Sequence, residues 1–479
     1  MVHGHTVVVS APGKVLLAGG YIVLDRKHTG LVFGLSARIS VLAQRIPTSE
    51  GVHLSEIVVQ SPQFVNSTWR YGYHLVGHDG GIKVTQLQSK DDIVMPNHFI
   101  ETTLNYVLTY IASVDKSRAE HGFSPASLIV LADNDYYSEP RQMESAERLT
   151  SGPPLSVLQS ESHEAGSSTE TPPTEGSRPR FRHFGTTISG AHKTGLGSSA
   201  AIVTALTAAL LSHYLGSVVF DVNSDEGKRI LHNLAQIAHC SAQGKIGSGF
   251  DVASAVYGSC VYRRFSPSLI SKLPSPGQPG FGSALVSLVN QGDWDCEINK
   301  DMLGKGLPSG LAIRMCDVDC GTQTVGMVKK VHEWKSANPD RAEQTYNELQ
   351  HCVDHLASII RHQKIDEIGT AMRPLRDLMR RMGNEAGAQI EPETQEAMLN
   401  ELEKVPGVYG TVVPGAGGYD AAAVVMKDDA ETEKRVKEFL RSWSKERGIQ
   451  VRLLRVKGET QGVRTEDVKE FASWLYATN

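Results

Sequence analysis

A chain of 479 residues, 40% hydrophobic and 21% charged, is long enough to bury substantial cores and to divide into more than one domain. Its formal net charge of -5, without a long lysine or arginine run, offers no basic field and argues against nucleic acid as a partner. Six scattered cysteines fit a reducing compartment, and Met1-Val2-His3-Gly4-His5 lacks a charged-then-apolar signal, so a cytoplasmic protein without membrane insertion is expected.

In chain order, residues 6–10 form a short β run that Ala11-Pro12-Gly13-Lys14 stops and residues 15–18 resume: strand, turn, strand. Residues 38–46, 56–60 and 128–132 read as further strands, with a helix over 99–112. Between 138 and 180 the composition turns to Ser, Glu, Thr, Pro and Gly, which cannot build a core; a disordered surface insertion is expected there.

Next comes His192-Lys193-Thr194-Gly195-Leu196-Gly197-Ser198-Ser199-Ala200-Ala201, where two glycines and two serines precede a long uncharged helical stretch. A helix beginning near Ser198 aims its first free N–H groups and the positive end of its dipole at the loop, which makes an anion site. Gly195 and Gly197 admit positive φ and let amides touch phosphate oxygens. Ser198 and Ser199 offer hydroxyls to phosphate or Mg²⁺, and Lys193 adds a cation. The pattern is not the Walker loop, and a dinucleotide fingerprint is disfavoured by the mid-chain position and the lack of a good acidic ribose partner. An ordinary glycine-rich helix start is the competing reading, but it has no packing use for two serines and a lysine. The apolar stretch from 200 to 215 is expected to be buried, and to fall short of the roughly 18–20 residues of a membrane span.

Ser224-Asp225 caps a second helix on which Ile230, Leu234, Ile237 and Ala238 share a face, ending at Gly244. In the following Lys245-Ile246-Gly247-Ser248-Gly249-Phe250-Asp251 the glycines let Asp251 approach a ligand, which makes it a candidate catalytic residue. A helix N-cap explains the same aspartate at least as well. From Leu307 a third part carries a strand at 311–315, a helix opening at Gly321-Thr322-Gln323-Thr324, helices at 346–360 and 365–382, and strands at 408–413 and 421–426. Pro414-Gly415-Ala416-Gly417-Gly418-Tyr419-Asp420 between those strands fits backbone approach to a ligand or to the first domain, or a plain hairpin turn. Cys316 and Cys320 with His351 and His355 can be drawn as a zinc site, but a strand cysteine, a turn cysteine and an unrelated helix face describe them better. Strands and helices alternate without regular βαβ spacing, which points to an α+β fold rather than a doubly wound sheet.

Ala11-Pro12-Gly13-Lys14-Val15 with Gly19-Gly20-Tyr21, then Gly195-Leu196-Gly197-Ser198-Ser199-Ala200, then Gly415-Ala416-Gly417-Gly418 resemble, in order and spacing, the three motifs of the GHMP small-molecule kinases. The resemblance spans nearly the whole chain. Lys193 to Ala200, Gln243-Gly244-Lys245-Ile246-Gly247-Ser248-Gly249-Phe250-Asp251 and Ala253-Ser254-Ala255-Val256-Tyr257-Gly258-Ser259 are similar to the eukaryotic-type branch that acts on phosphomevalonate. The fold so implied has an N-terminal domain like ribosomal protein S5 domain 2 over 1–300 and a C-terminal ferredoxin-like domain over 301–479, with the active site between them. The activity so implied is ATP-dependent, Mg²⁺-requiring phosphorylation of (R)-5-phosphomevalonate to (R)-5-diphosphomevalonate, in the mevalonate route to isoprenoids and sterols.

Residue by residue, the resemblance puts ATP binding on Lys193, Gly195, Leu196, Gly197, Ser198, Ser199 and Ala200, the Mg²⁺ ligand on Ser199, and catalysis on Lys14 and Asp251. Lys14, Tyr21, Thr322, Gln323, Gly417 and Gly418 would surround the acceptor. The chain departs from the mevalonate kinases, which carry a glutamate upstream of the aspartate as a second magnesium ligand; Ser241, Ala242, Gln243 and Gly244 offer none. Two alternatives stand beside this reading: a GHMP kinase acting on an alcohol such as mevalonate or a sugar, and a non-catalytic metabolite sensor of the same fold. Lys193 and Lys245 lean toward a phosphorylated acceptor, and intact Lys14, Ser199 and Asp251 toward turnover.

Overall fold

The computed structural model describes residues 6–52, 54–88, 94–138, 179–319 and 326–475. Most of the expected insertion (139–178), together with Cys320, Thr322 and Gln323, lies outside the described residues. The first half builds β1 (Val7–Ala18), β2 (Thr29–Arg45), β3 (Glu56–Gln60), β4 (Thr68–Val76), β5 (Gly81–Leu87), α1 (His98–Val114), α2 (Lys116–His121) and β6 (Ala126–Ala132). It continues through β7 (Tyr137–Ser138), β8 (His192–Lys193), α3 (Ser198–Val219), α4 (Asp225–Ala242), α5 (Phe250–Tyr257), β9 (Cys260–Arg263), α6 (Ser268–Ser271), α7 (Phe281–Gln291) and β10 (Glu297–Asn299). The second half holds β11 (Leu311–Asp319), α8 (Met327–Ala337), α9 (Pro339–Arg361), α10 (Ile368–Ala386), α11 (Glu393–Leu402), β12 (Val408–Val412), β13 (Ala421–Lys427), α12 (Ala430–Arg447), β14 (Gln450–Glu459), β15 (Arg464–Thr465) and α13 (Ala472–Leu475).

β2 is the spine of the first half. It pairs antiparallel with β1, β6 and β9, and β6 carries β3, β4 and β5 outward, with β3 joined to β6 in parallel. In β1 the expected turn at Ala11-Pro12-Gly13-Lys14 is instead a bulge: the register passes from Pro12 opposite Arg38 to Gly13 opposite Leu35. Pro12 has no N–H to give the ladder, and the partner strand absorbs the irregularity with extra residues, so β1 bends and continues rather than reversing.

α3 begins at Ser198 as expected but runs for 22 residues, with a non-helical Gly216 (φ 70°) near its end. It is therefore long and apolar enough to cross a membrane, which corrects the expectation from the shorter apolar stretch. Its position accounts for its composition. Ala201, Val203, Ala205, Ala208, Ala209 and Leu210 are fully buried, because α3 lies against β1 and β2 on one side and α1, α4 and α5 on the others. A helix covered all round carries apolar residues all round.

In the second half the sheet order β12-β13-β11-β14 takes its four strands as second, third, first and fourth in the chain, the ferredoxin-like order. Alternation along these strands sends Cys316, Val318, Ala422 and Val424 toward Met398 and Leu399 of α11 and Val436 and Leu440 of α12. It sends Ile313, Met315, Ala423 and Val425 into the main core with α9 and α10. β14 joins the halves, pairing with β11 over most of its length and then placing Gly458 opposite Leu35 and Glu459 opposite Gly34 of β2. The chain end returns to the first half, where β15 pairs with β1 and Phe471 is buried beside Val8, Leu42 and Ile129.

Candidate active site

Gly195 (φ 76°) and Gly197 (φ 80°) hold the left-handed backbone that favours glycine. Between them Leu196 is buried, and its carbonyl accepts the Lys14 N–H at 2.9 Å. The bulge in β1 makes that approach possible: a Cβ on Gly13 would stand 2.9 Å from the Leu196 oxygen and 3.0 Å from the Tyr136 hydroxyl. Gly197 is the N-cap of α3 and supplies no side-chain cap, so the first amides of the helix face the loop free for an anion. Ser198 is hydrogen-bonded to the Tyr137 phenol, whose pKa burial raises and this bond lowers.

The Lys14 side chain crosses Gly197, where a Cβ would meet its Cε at 2.8 Å and its Cγ at 3.0 Å. Its ammonium lies 5.5 Å from the centre of the Phe250 ring, a cation–π contact. Burial holds the amine below the ordinary lysine range, and the charge of Asp251 works in the opposite direction.

Asp251 stands in the first turn of α5, but the N-cap is Gly249 (φ 87°), so the capping explanation for this aspartate does not hold. Its Oδ1 accepts the Val252 N–H at 3.0 Å, leaving Oδ2 3.8 Å from Nε2 of His239. The same Nε2 lies 3.2 Å from the Ser199 hydroxyl and 3.1 Å from the Gln243 amide nitrogen. His239 is 2% exposed, so this buried imidazole links α4 to the start of α3 through Ser199, with the α5 carboxylate close by. Sequence reasoning missed it; the available signal was its spacing four residues before Gln243, one helical turn along the face that looks at the loop.

Lys14, Gly195, His239, Phe250 and Asp251 border a cavity of about 600 Å³ whose wall also includes Tyr21, Arg264 and Gly417, whereas Gly197, Ser198 and Ser199 are not on that wall. The glycine-rich segment after β12 proves to be both things it was read as. It is the hairpin loop between β12 and β13, and it approaches the first half through its backbone, Gly415 donating to the Leu16 carbonyl at 3.3 Å and Ala416 accepting from the Tyr21 hydroxyl at 2.7 Å. Gly418 gives its N–H to the Ile390 carbonyl at 2.9 Å and does not line the cavity, nor does the exposed Lys193 on β8. Cys316 is buried in β11, and Cys320, the other cysteine of the zinc set that can be drawn, lies outside the described residues.

Ser199 and Asp251, both within reach of one imidazole nitrogen, present hard oxygen donors. That small set suits Mg²⁺, which binds through one or two carboxylates and takes further ligands from substrate phosphates and water.

The chain is similar to known proteins over almost its full length. Residues 183–259 match the GHMP kinases N terminal domain. Phosphomevalonate kinase ERG8 of Gibberella zeae is 52% identical over 471 residues, covering 98% of this chain and 99% of its own. The peroxisomal phosphomevalonate kinase of Arabidopsis thaliana is 30% identical, covering 89% and 91%. A Streptococcus pneumoniae phosphomevalonate kinase solved with phosphomevalonate and AMPPNP shares the fold, with a TM-score of 0.56 at 15% identity over 94% of this chain and 99% of that one. With relatives this similar over almost their full length, and a glycine loop, lysine and aspartate meeting at one cavity, the chain belongs to the phosphomevalonate kinase family of GHMP kinases.

Proposed function

We propose that this chain transfers the γ-phosphoryl group of ATP to (R)-5-phosphomevalonate, giving (R)-5-diphosphomevalonate and ADP. The observation that carries the chemistry is the meeting of Lys14, Asp251 and Gly195 of the glycine loop on one cavity, with the Leu196 carbonyl holding the Lys14 backbone. An oxygen of the acceptor phosphate attacks the γ-phosphorus, and the bond to the bridging β–γ oxygen breaks. A phosphate monoester has a second pKa of about 6, so the acceptor is mostly a dianion at neutral pH and needs no strong base. The difficulty is bringing two anions together, which calls for fixed cations and amide dipoles.

In this reading the Lys14 ammonium stands against the transferring phosphoryl, and the amides at the start of α3 take the nucleotide phosphates. Asp251 orients Lys14 and, with Ser199, would hold Mg²⁺, which supplies charge neutralisation at the phosphates. His239 keeps both oxygen donors in place. Lys193, Thr322, Gln323 and Gly418 remain proposed contacts from the family resemblance alone. We propose 1–300 and 301–479 as the functional division, with residues 464–475 rejoining the first unit through β15 and Phe471. The cytoplasm is the proposed compartment, although the Arabidopsis relative is named peroxisomal.

Coupled ADP release with Mg-ATP and phosphomevalonate, mevalonate or galactose offered separately tests the reading. Turnover on phosphomevalonate is expected; turnover only on an unphosphorylated alcohol would overturn the acceptor. Lys14→Met should lose more kcat than Asp251→Asn. A larger loss for the aspartate change, rescued at high pH, would make Asp251 a general base instead.

A further inference from the structure

Buried arginines in this fold are matched by carboxylates. Arg38 pairs with Glu459 and Glu466, Arg314 with Glu433, and Arg376 with Glu391 and Glu403. Arg264, just after β9, is built differently. It lines the 600 Å³ cavity, yet its guanidinium is held by two main-chain carbonyls, Leu24 at 2.9 Å and Ile246 at 2.9 Å. Its Nε is buried with no hydrogen-bond partner. Among the described residues no carboxylate pairs with it, and the groups that favour its charge are a phenol, Tyr262, and a thiol, Cys240. A partly desolvated guanidinium without a counter-charge is unfavourable. The fold nevertheless fixes it, since the two carbonyls aim the fork and leave the second N–H of each terminal nitrogen for an anion.

We propose that Arg264 is a specificity-determining residue that pairs with an anionic group of the acceptor in the cavity it lines. The position supports this. Leu24 closes the short helical turn that follows Gly19-Gly20-Tyr21, and Ile246 belongs to the loop running into Asp251, so Arg264 bridges the two segments that flank the reacting lysine and aspartate. Lys245, exposed on the same cavity wall, adds a second cation. An acceptor carrying both a phosphate and a carboxylate supplies the missing counter-charge, whereas a neutral alcohol would leave it missing. This discrimination is a strong one, because a fixed charged group left unpaired costs more than a lost apolar contact. The inference rests on the acceptor reading given above.

The test uses the full chain with Arg264→Gln and Arg264→Lys. Steady-state kinetics with phosphomevalonate and Mg-ATP are measured alongside inhibition by mevalonate and thermal melting. Arg264→Gln is expected to raise KM for phosphomevalonate by about 10- to 100-fold, the range for a lost charged hydrogen bond. KM for ATP and the melting temperature should stay near wild type, and Arg264→Lys should restore part of the loss. If the inhibition constant of mevalonate, which keeps the carboxylate and lacks the phosphate, rises in parallel, Arg264 holds the carboxylate end. If it is unchanged, Arg264 holds the phosphate end. Unchanged KM for phosphomevalonate would overturn the proposal. So would a loss shared equally by ATP, by stability and by the lysine variant, which would mark Arg264 as a clip between Leu24 and Ile246. Failure of the wild-type chain to turn over phosphomevalonate would instead remove the reading beneath it.

Discussion

Gly197→Ala and Gly195→Ala make a matched pair whose difference measures how closely Lys14 is held. Both positions have nearly the same left-handed φ, 80° and 76°, so alanine at either costs about 1–2 kcal/mol of backbone strain. Their surroundings differ. A Cβ at 195 meets only the Ala421 Cβ, at an ordinary 3.5 Å, whereas a Cβ at 197 meets Lys14 at Cε (2.8 Å), Cγ (3.0 Å) and Cδ (3.4 Å). Three consecutive contacts along the stem cannot be relieved by turning its tip, and the Leu196 carbonyl holds the Lys14 backbone at 2.9 Å. The ammonium must therefore move by something near an ångström, and displacement on that scale costs on the order of 100-fold in rate. Both variants should melt at similar, lowered temperatures, while coupled ADP release should show kcat for Gly197→Ala about 100-fold below that of Gly195→Ala. Equal kcat values would refute the argument that the Lys14 stem depends on a glycine beneath it.

Burial lowers the pKa of Lys14 from the ordinary 10.5, so its proton is lost on the alkaline side earlier than an exposed lysine would lose it. The kcat/KM profile should fall at high pH through a pKa below that value, and the limb should move up in Lys14→Arg, since arginine does not titrate there. His239→Ala frees the Ser199 hydroxyl and opens space beside the Asp251 carboxylate. Apparent Mg²⁺ affinity, read by titrating metal against binding of a non-hydrolysable ATP analogue, should weaken about 10- to 100-fold, and an unchanged affinity would detach the imidazole from the metal site. Far from the site, the hydrogen bond from Arg314, aided by Lys437, holds Glu433 down at about 2 against an ordinary 4.5. Its contribution is complete above the unfolded value and is lost as pH falls through the folded one. After allowance for solvent screening of a partly exposed carboxylate this amounts to about 1 kcal/mol. Glu433→Gln should lower the melting temperature at neutral pH and lose less stability than wild type between pH 4.5 and about 2.

Much of the framework was legible along the chain. The strand at 56–60, the helix start at Ser198 and the Ser224 cap fall where local signals put them, because each depends on residues a few positions apart. Pro12-Gly13 misled: that dipeptide reads as a turn in isolation, and only the partner strand β2, spanning Thr29–Arg45, shows that the backbone bends without reversing. The apolar run after Ser199 likewise understated α3, which continues past residue 215 through the non-helical Gly216 to the exposed Ser217, Val218 and Val219.

The sequence by itself determined the conformation of the proposed anion loop, since two glycines, two serines and a helix start are contiguous and their conformational preferences are local. It also supplied Lys14, Tyr21, Asp251 and the glycines at 415–418 as candidates. Tertiary structure decided which of them share a cavity and what completes the set. His239 reaches Ser199 forty positions away in the chain and Asp251 twelve away. Arg264 meets Leu24 across 240 positions. Contacts of that range are set by how β1, β9, α3, α4 and α5 pack, and no local periodicity encodes them.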